Sequence, residues 1–317
     1  MRALVTGGGG FIGSHLVDRL VRDGHHVLVL DDLSHGTPEN LAPALATGRC
    51  ALAQRDVCDS RAVDDVVVPF GPAVVFHLAA QIDVRASVVD PAHDTRVNVG
   101  GTVAVLEAAR RAGAGHVVLA SSVAIYGVSP VLPVTESSPT EPLSPYAASK
   151  LAGELYLRQF ARLHGLGGTT LCFGNVFGPR QDAHGEAGVV AIFTDALLRG
   201  RPTRVFGDGR NVRDYVYVDD AVDALVRAGS GVGGGARFNI GTGVGTSDLA
   251  LHRAVAAAVG ADAAPELAPA RPGDMPAMTL DSSAARDHLG WAPRVSLPEG
   301  LARTAAWARA RLAGTAG

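Results

Sequence analysis

At 317 residues, with 47% hydrophobic side chains and a formal net charge of −3, the chain can bury a large core as one large domain or two smaller ones. Its charges are well mixed, and with no basic block or charged tail the composition argues against nucleic acid or a membrane surface as partner. Three cysteines, Cys50, Cys58 and Cys172, without Cys-x-x-Cys, argue against a disulfide framework or structural zinc; no His/Cys/Asp cluster has metal-ligand spacing, and no apolar run is long enough to span a bilayer.

Ala3-Leu4-Val5 reads as a strand at the very start, which predicts no signal peptide and a cytoplasmic location. It runs into Thr6-Gly7-Gly8-Gly9-Gly10, and the apolar spacing from Phe11 to Leu20 predicts a helix. A strand, a glycine turn and a helix form the first half of a dinucleotide-binding βαβ unit. Glycines let the backbone approach a pyrophosphate, and the helix N-terminus offers free N–H groups and a favourable dipole. Gly8, Gly10 and Gly13 fit G-x-G-x-x-G; Gly7, Gly10 and Gly13 fit a wider G-x-x-G-x-x-G, and the residues alone leave the register open. A glycine turn by itself also fits a tight connection that binds nothing. The second strand, His26 to Leu30, narrows the choice because it ends at Asp31-Asp32, near the spacing at which a carboxylate accepts hydrogen bonds from the adenosine ribose. A carboxylate repels a 2′-phosphate, and no Arg or Lys lies between Asp31 and Asn40, so NAD is expected rather than NADP.

Cys50–Ala53, Ala73–His77, His116–Ala120 and Gly167–Phe173 read as the third to sixth strands, with helical patterns between them, the clearest from about Asp94 to Ala112. The alternation predicts an α/β fold: a doubly wound parallel sheet of the Rossmann type, with ligands at the strand C-terminal ends. Those ends carry Asp31, Asp56, Ala79-Ala80-Gln81, Ser121-Ser122 and Asn175. Residues 1–180 are expected to bind the cofactor. Beyond about residue 180 glycine and proline become frequent, and residues 181–317 read as a smaller mixed α/β substrate lobe from which a later segment is free to return to the large sheet. The glycine-rich run from Ala228 to Ala236 reads as a loop, and Gly314 to Gly317 as a frayed tail.

Pro145-Tyr146-Ala147-Ala148-Ser149-Lys150 opens a helix on which Tyr146 and Lys150, four apart, share one face. An unperturbed tyrosine is a poor base at neutral pH, and a nearby ammonium favours its phenolate. Tyr146 and Lys150 therefore read as an acid/base pair, with Ser122 as a hydroxyl able to bridge tyrosine and substrate. His77 and His15 have apolar neighbours and read as structural.

The chain resembles the extended short-chain dehydrogenase/reductases, and among them the UDP-glucose 4-epimerases. The resemblance covers nearly the whole chain. Besides the glycine turn it rests on Asp56-Val57, His77 to Gln81, Asn98-Val99, Ser121 to Gly127, Tyr146 with Lys150, Asn175 to Arg180, Arg213-Asp214-Tyr215 and Arg271-Pro272-Gly273-Asp274. It implies Gly7, Gly10 and Gly13 as the pyrophosphate glycines, with Phe11 and Ile12 in the same turn. Asp31, beside Asp32, would hold the ribose, with Asp56 and Val57 at the adenine. Leu78, Ala79 and Ala80 would line the cofactor, with Asn98 supporting that wall. Ser122, Tyr146 and Lys150 would be the catalytic group, Lys150 also reaching the nicotinamide ribose. Asn175, Arg213 and Arg271 would hold the substrate diphosphate and Asp274 the nucleotide; an arginine fork suits a phosphate dianion. Met278, four beyond Asp274, would flank the C2 substituent of the sugar, where family members with tyrosine tend to exclude N-acetylated sugars.

The resemblance implies an NAD-dependent C4 epimerase: Tyr146 takes the sugar 4-hydroxyl proton, hydride passes from C4 to NAD, and the 4-keto sugar turns over before hydride returns. UDP-glucose and UDP-galactose are the expected pair, with some turnover of N-acetylated forms; the expected partners are the UDP-sugar and a second copy of the chain. Related 4,6-dehydratases carry Asp-Glu directly after the catalytic hydroxyl residue. Val123 and Ala124 stand there instead and cannot transfer protons. A dehydratase or reductase of the same fold, and a non-catalytic NAD-binding regulator, stay open as alternatives.

Overall fold

Each of the six strands expected in the first part of the chain forms. The structure, a computed structural model, describes residues 1–183, 188–231, 235–271 and 275–314. β1 (Arg2–Thr6), β2 (His26–Asp31), β3 (Cys50–Gln54), β4 (Val74–His77), β5 (His116–Ser122) and β6 (Gly167–Phe173) pair in parallel. β10 (Ala236–Ile240) is the segment that returns from the second half, pairing in parallel with β6. The seven strands run in the order β10-β6-β5-β4-β1-β2-β3. The order reverses between β1 and β4, which opens a crevice at their C-terminal ends.

Both faces of the sheet are covered, so its central strands are apolar on both sides. On one face α1 (Phe11–Arg22) buries Leu16, Val17, Leu20 and Val21, one stripe of the helix, against β1 and β2; fully burying one leucine stabilises the fold by about 1.5–3 kcal/mol. On the same flank lies α2 (Ala42–Leu45). The other face carries α3 (Ser60–Phe70), α6 (Thr102–Arg111) and α7 (Pro145–His164), whose Val63, Val67, Val105, Leu106 and Leu157 pack with Leu4 and Leu30. Ahead of α6 lie α4 (Val84–Val89) and α5 (Pro91–Thr95). The single helix expected from Asp94 to Ala112 is interrupted: α5 runs through a π-helical turn, Arg96–Gly101, before α6 begins. Such turns occur often at functional sites, and this one carries Asn98.

The second half holds β7 (Asn175–Phe177), α8 (Val189–Leu198), β8 (Arg204–Phe206), β9 (Val212–Tyr217), α9 (Val218–Ala228), β11 (Gly245–Ser247), α10 (Asp248–Val259), β12 (Glu266–Ala268), α11 (Ser283–Leu289) and α12 (Leu297–Gly314). β9 lies between parallel β7 and antiparallel β11, and β8 pairs in parallel with β12, so this region is a smaller mixed α/β layer. α9 packs against α1 and β6, returning with β10 to the large sheet. Of the run expected as a loop, Val232 to Gly234 lie outside the described residues, and α9 ends at Ala228 where that run begins. α12 extends through Gly314, and the remaining residues of the expected tail, 315–317, lie outside the described residues. Among the described residues no helix is long and apolar enough to cross a membrane.

Candidate active site

The glycine turn is built for close approach. Gly7 has φ +69°, and a Cβ on it would stand 2.7 Å from the Ala79 nitrogen; a Cβ on Gly13 would stand 2.0 Å from the Gly7 carbonyl oxygen. Side chains are therefore barred by backbone at both ends of the wider G-x-x-G-x-x-G register, whereas at Gly8 a Cβ would meet the Val29 side chain. Gly10 is the N-cap of α1 and supplies no side-chain cap, which leaves the helix N-terminus to offer its N–H groups to a pyrophosphate. Phe11 and Ile12, both partly buried, form the first turn of that helix.

Asp31 ends β2 beside this turn and is 7% exposed. Its Oδ2 accepts from Gly9 N at 2.8 Å and its Oδ1 from Leu33 N at 2.8 Å, leaving lone pairs for a ribose. Burial raises its pKa above the usual carboxylate value, and the two backbone N–H groups oppose that shift. Asp32 is exposed and shapes a turn instead, its Oδ1 accepting from Ser34 N and Ser34 Oγ. Asp56 likewise accepts from Cys58 N, next to buried Val57. Leu78 N and Ala79 N both donate to Thr6 Oγ1 at 3.2 Å, which holds Leu78, Ala79 and Ala80 across the crevice from the glycine turn. A glycine cradle that side chains would fill, an uncapped helix N-terminus and a carboxylate at the end of β2 fit NAD.

Ser144 caps α7, accepting from Ala147 N at 3.2 Å, and Pro145 occupies its first turn. That places Tyr146 at the start of the helix, where its N–H donates to Ser87 Oγ at 3.1 Å. The Ser122 hydroxyl lies near enough to the Tyr146 phenol to act against the rise in its pKa, and Ser122 Oγ accepts from Ala124 N at 3.2 Å. One turn on, Lys150 Nζ donates to the Ala120 carbonyl at 3.1 Å and lies 5.9 Å from the centre of the Tyr146 ring. The three predicted catalytic residues are thus brought together at the end of β5. The expected electrostatics are corrected. Burial dominates, pushing Tyr146 up to about 12 against the Ser122 hydroxyl, and pulling Lys150 down to about 8 against the carboxylates of Asp94 and Glu154. Burial outweighs the help the phenol receives from its neighbours, because desolvation acts on both groups.

His77 is 2% exposed and bridges Thr6 Oγ1 (2.7 Å) and Thr102 Oγ1 (3.0 Å); burial drops its pKa to about 3, so it is a neutral structural residue. His15 Nε2 donates to the Pro179 carbonyl at 2.9 Å and ties α1 to the segment after β7.

Further buried polar residues support the site. Asn98 Nδ2 donates to Gln81 O, Asp94 Oδ1 and Ser149 Oγ at 3.0–3.1 Å, and its Oδ1 accepts from Gln81 N at 2.8 Å. Asn98 therefore braces the segment beside Ala80 and the turn that carries Tyr146. Glu154 Oε2 takes both Arg237 Nε (2.8 Å) and Nη2 (2.6 Å), while its other oxygen accepts from Ser121. The spacing Lys150-x-x-x-Glu154 puts Glu154 on the same helical face and is the one hint the sequence offered. Asp214, buried, takes Thr242 N and Thr242 Oγ1 on one oxygen and Gly243 N and Leu280 N on the other, joining β9 to two later loops.

On the substrate side, Ser122 pairs across the sheet with Phe173, and Asn175 follows two residues later at the start of β7. Arg213 lies partly buried on β9, its Nη1 donating to Val212 O at 2.8 Å. The Arg271 guanidinium stacks on Phe206, 3.2 Å from the ring centre; Phe206 was not a candidate from sequence. Asp274 lies outside the described residues. Met278 is 1% exposed and packs with Val123, Ile125, Tyr126, Val134, Cys172 and Leu280. The expectation that it flanks the sugar is corrected: with almost no exposed surface it is a core side chain behind Val123.

Comparison with known proteins gives the same assignment. Residues 3–241 match the NAD dependent epimerase/dehydratase family. The UDP-glucose 4-epimerase of Mycolicibacterium smegmatis is 54% identical over 305 residues, spanning 96% of this chain and 97% of that one. The crystal structure of UDP-glucose 4-epimerase from Thermotoga maritima with UDP-glucose superposes with a TM-score of 0.95 at 44% identity, covering 98% of this chain and 100% of that one. The Thermus thermophilus UDP-glucose 4-epimerase complex with NAD gives a TM-score of 0.91 at 42% identity, with 98% and 99% covered. This chain belongs to the NAD-dependent epimerase/dehydratase family and is an NAD-dependent enzyme.

Proposed function

We propose that the chain inverts C4 of a nucleotide sugar, with UDP-glucose and UDP-galactose as the main pair. The observation that carries this reading is the grouping of Ser122, Tyr146 and Lys150 at the end of β5, followed by Val123 and Ala124. The group can move a proton at one oxygen, while the two residues after it hold no acid with which to expel water from the sugar. Residues 1–180 serve mainly the cofactor and residues 181–317 mainly the substrate.

When bound, NAD supplies the hydride chemistry, accepting the C4 hydrogen and returning it. Ser122 orients the sugar 4-hydroxyl toward Tyr146, and Tyr146 takes its proton. Lys150 supplies the positive charge that favours the phenolate at that moment. Arg213, Arg271 and Asn175 grip the diphosphate, leaving the sugar ring free to turn between the two half-reactions. Arginine suits that task because its fork remains charged and bidentate.

The second copy of the chain has an apolar face to use. α4 leaves Val88 and Val89 exposed, and α7, packed beside it, leaves Leu155, Tyr156 and Leu163 exposed along its length; exposed apolar side chains can mark interaction surfaces. Leu163→Glu should weaken the dimer in sedimentation velocity.

A proton-NMR assay of the purified protein on a panel of UDP-glucose, UDP-galactose and their N-acetylamino forms tests the reading. UDP-galactose should form from UDP-glucose without accumulation of NADH. A deoxy-4-keto product, or net NADH consumption, would replace it with a dehydratase or a reductase.

A further inference from the structure

Lys150 is the only lysine in the chain. It sits half-buried in a pocket whose charged neighbours divide into two sets. The ionisable groups around the Tyr146–Lys150 pair are Asp94 from α5, Glu154 from α7 itself, His77 from β4, Cys172 from β6 and, beyond Glu154, Arg237 from β10. His77 is held neutral, and burial raises the Cys172 thiol well above its usual value, so it stays protonated. Glu154 is engaged by Arg237 through two hydrogen bonds of 2.6 and 2.8 Å and by Ser121. Two opposite charges are left over, Lys150 and Asp94.

Neither has an ion-pair partner among the described residues. Lys150 Nζ meets the Ala120 carbonyl. Asp94 is 0% exposed; its Oδ1 accepts from Gln81 Nε2 and Asn98 Nδ2 at 3.1 Å each, and its Oδ2 has no hydrogen-bond partner. An isolated buried carboxylate is costly unless a compensating charge lies close by. α5 packs directly on α7, and Asp94 is the charge that acts most strongly on Lys150, ahead of Glu154. From Asp94 the hydrogen bonds run through Asn98 to Ser149, the residue before Lys150, and Ser149 Oγ donates to the Tyr146 carbonyl at 2.9 Å.

We propose that Asp94 is the counter-charge of Lys150: a positioning residue that keeps the half-buried lysine protonated and, through Asn98 and Ser149, holds the first turn of α7. The role deepens the proposed function, since it rests on Tyr146 and Lys150 acting as the acid/base group. The sign follows from charge. Removing a carboxylate makes the ammonium harder to keep, so Lys150 loses its proton at lower pH. The same removal makes the Tyr146 phenolate easier to form, because Asp94 opposes that charge. Both apparent pKa values of the pair therefore move down together.

With one lysine, protein labelled with ε-13C-lysine gives a single side-chain resonance, and its pH titration reads Lys150 without any turnover. In Asp94→Asn the midpoint should fall by about one pH unit or more, while Asp94→Glu, which keeps the charge, should stay near the unmodified protein. If Asp94→Asn does not fold, Asp94→Ser carries the same reading, with thermal melting to confirm the fold. A midpoint unchanged in the charge-removing variant overturns the proposal, because a merely structural Asp94 would lower the melting temperature and leave the lysine alone. The pH profile of kcat/KM for UDP-glucose adds the second arm, in which both limbs should move acidward in Asp94→Asn. A shifted lysine midpoint in a protein that turns over no nucleotide sugar would keep the counter-charge and sink the epimerase reading. Normal epimerisation by the unmodified protein with an unmoved midpoint in Asp94→Asn would do the reverse.

Discussion

The Lys150 ammonium stands 5.9 Å from the centre of the Tyr146 ring, one helical turn along α7, and is anchored there by the Ala120 carbonyl. Cation and phenol share one desolvated pocket, so the chemistry of the site depends on the tyrosine oxygen. Tyr146→Phe keeps the ring and its packing but removes that oxygen. NAD should still bind, and epimerisation should fall by at least about 100-fold, measured as kcat alongside the NAD content of the purified variant. Near-normal turnover would mean that another residue is the base.

Asp31 carries two loads at once. It faces the glycine turn as the expected ribose acceptor, and it satisfies Gly9 N and Leu33 N. Asp31→Ala should weaken NAD, narrow the preference over NADP, and cost about 1–3 kcal/mol of stability by leaving buried N–H groups unpaired. Titration calorimetry with both cofactors and denaturant unfolding check the two effects. Equal affinity of the unmodified protein for NAD and NADP would remove Asp31 from its role.

Stability should fall on the acid side. His77, His15, His116 and His252 all have pKa values lowered by burial from the ordinary 6.5, His77 to about 3. A base whose folded pKa is depressed contributes its full stability above about 6.5 and loses it as pH falls toward the folded value, because the unfolded chain binds the extra proton. For His77 alone the loss is about 1.4 kcal/mol per pH unit within that window. Denaturant midpoints at pH 7 and pH 5 should differ in that direction, and His77→Asn should flatten the slope while lowering stability at pH 7.

Met278 gives a test of packing against specificity. Its side chain fills a buried cluster behind Val123, so Met278→Tyr overpacks the core and should cost about 1–3 kcal/mol. The ratio of kcat/KM for plain and N-acetylated sugars should stay the same. Selective loss of the N-acetylated reaction at unchanged stability would restore Met278 as a gate.

The parts legible in the sequence are those written in short range. β1 to β6, the glycine turn and the Tyr146–Lys150 face follow from apolar runs, glycine spacing and a four-residue interval. The π turn at Arg96–Gly101 breaks a helix whose periodicity continues across it, so the pattern could not reveal it. The pairing of β10 with β6, and of Arg237 with Glu154 83 residues away, depends on tertiary contacts that carry no local period. Burial was the missing quantity for the acid/base pair: the interval predicts that Tyr146 and Lys150 meet, but not that desolvation pushes both toward their neutral forms. For Met278 the resemblance supplied a position in the chain, and the packing around Val123 supplied the depth that the position lacked.

The central claim, redox inversion at one carbon, is tested most directly with UDP-glucose carrying deuterium at C4. Tyr146 handles only the oxygen-bound proton, so the C4 label should leave and return within one active site. The account predicts UDP-galactose with the deuterium still at C4. Loss of the label to solvent, or its appearance at C6 of a deoxy-keto sugar, would contradict it.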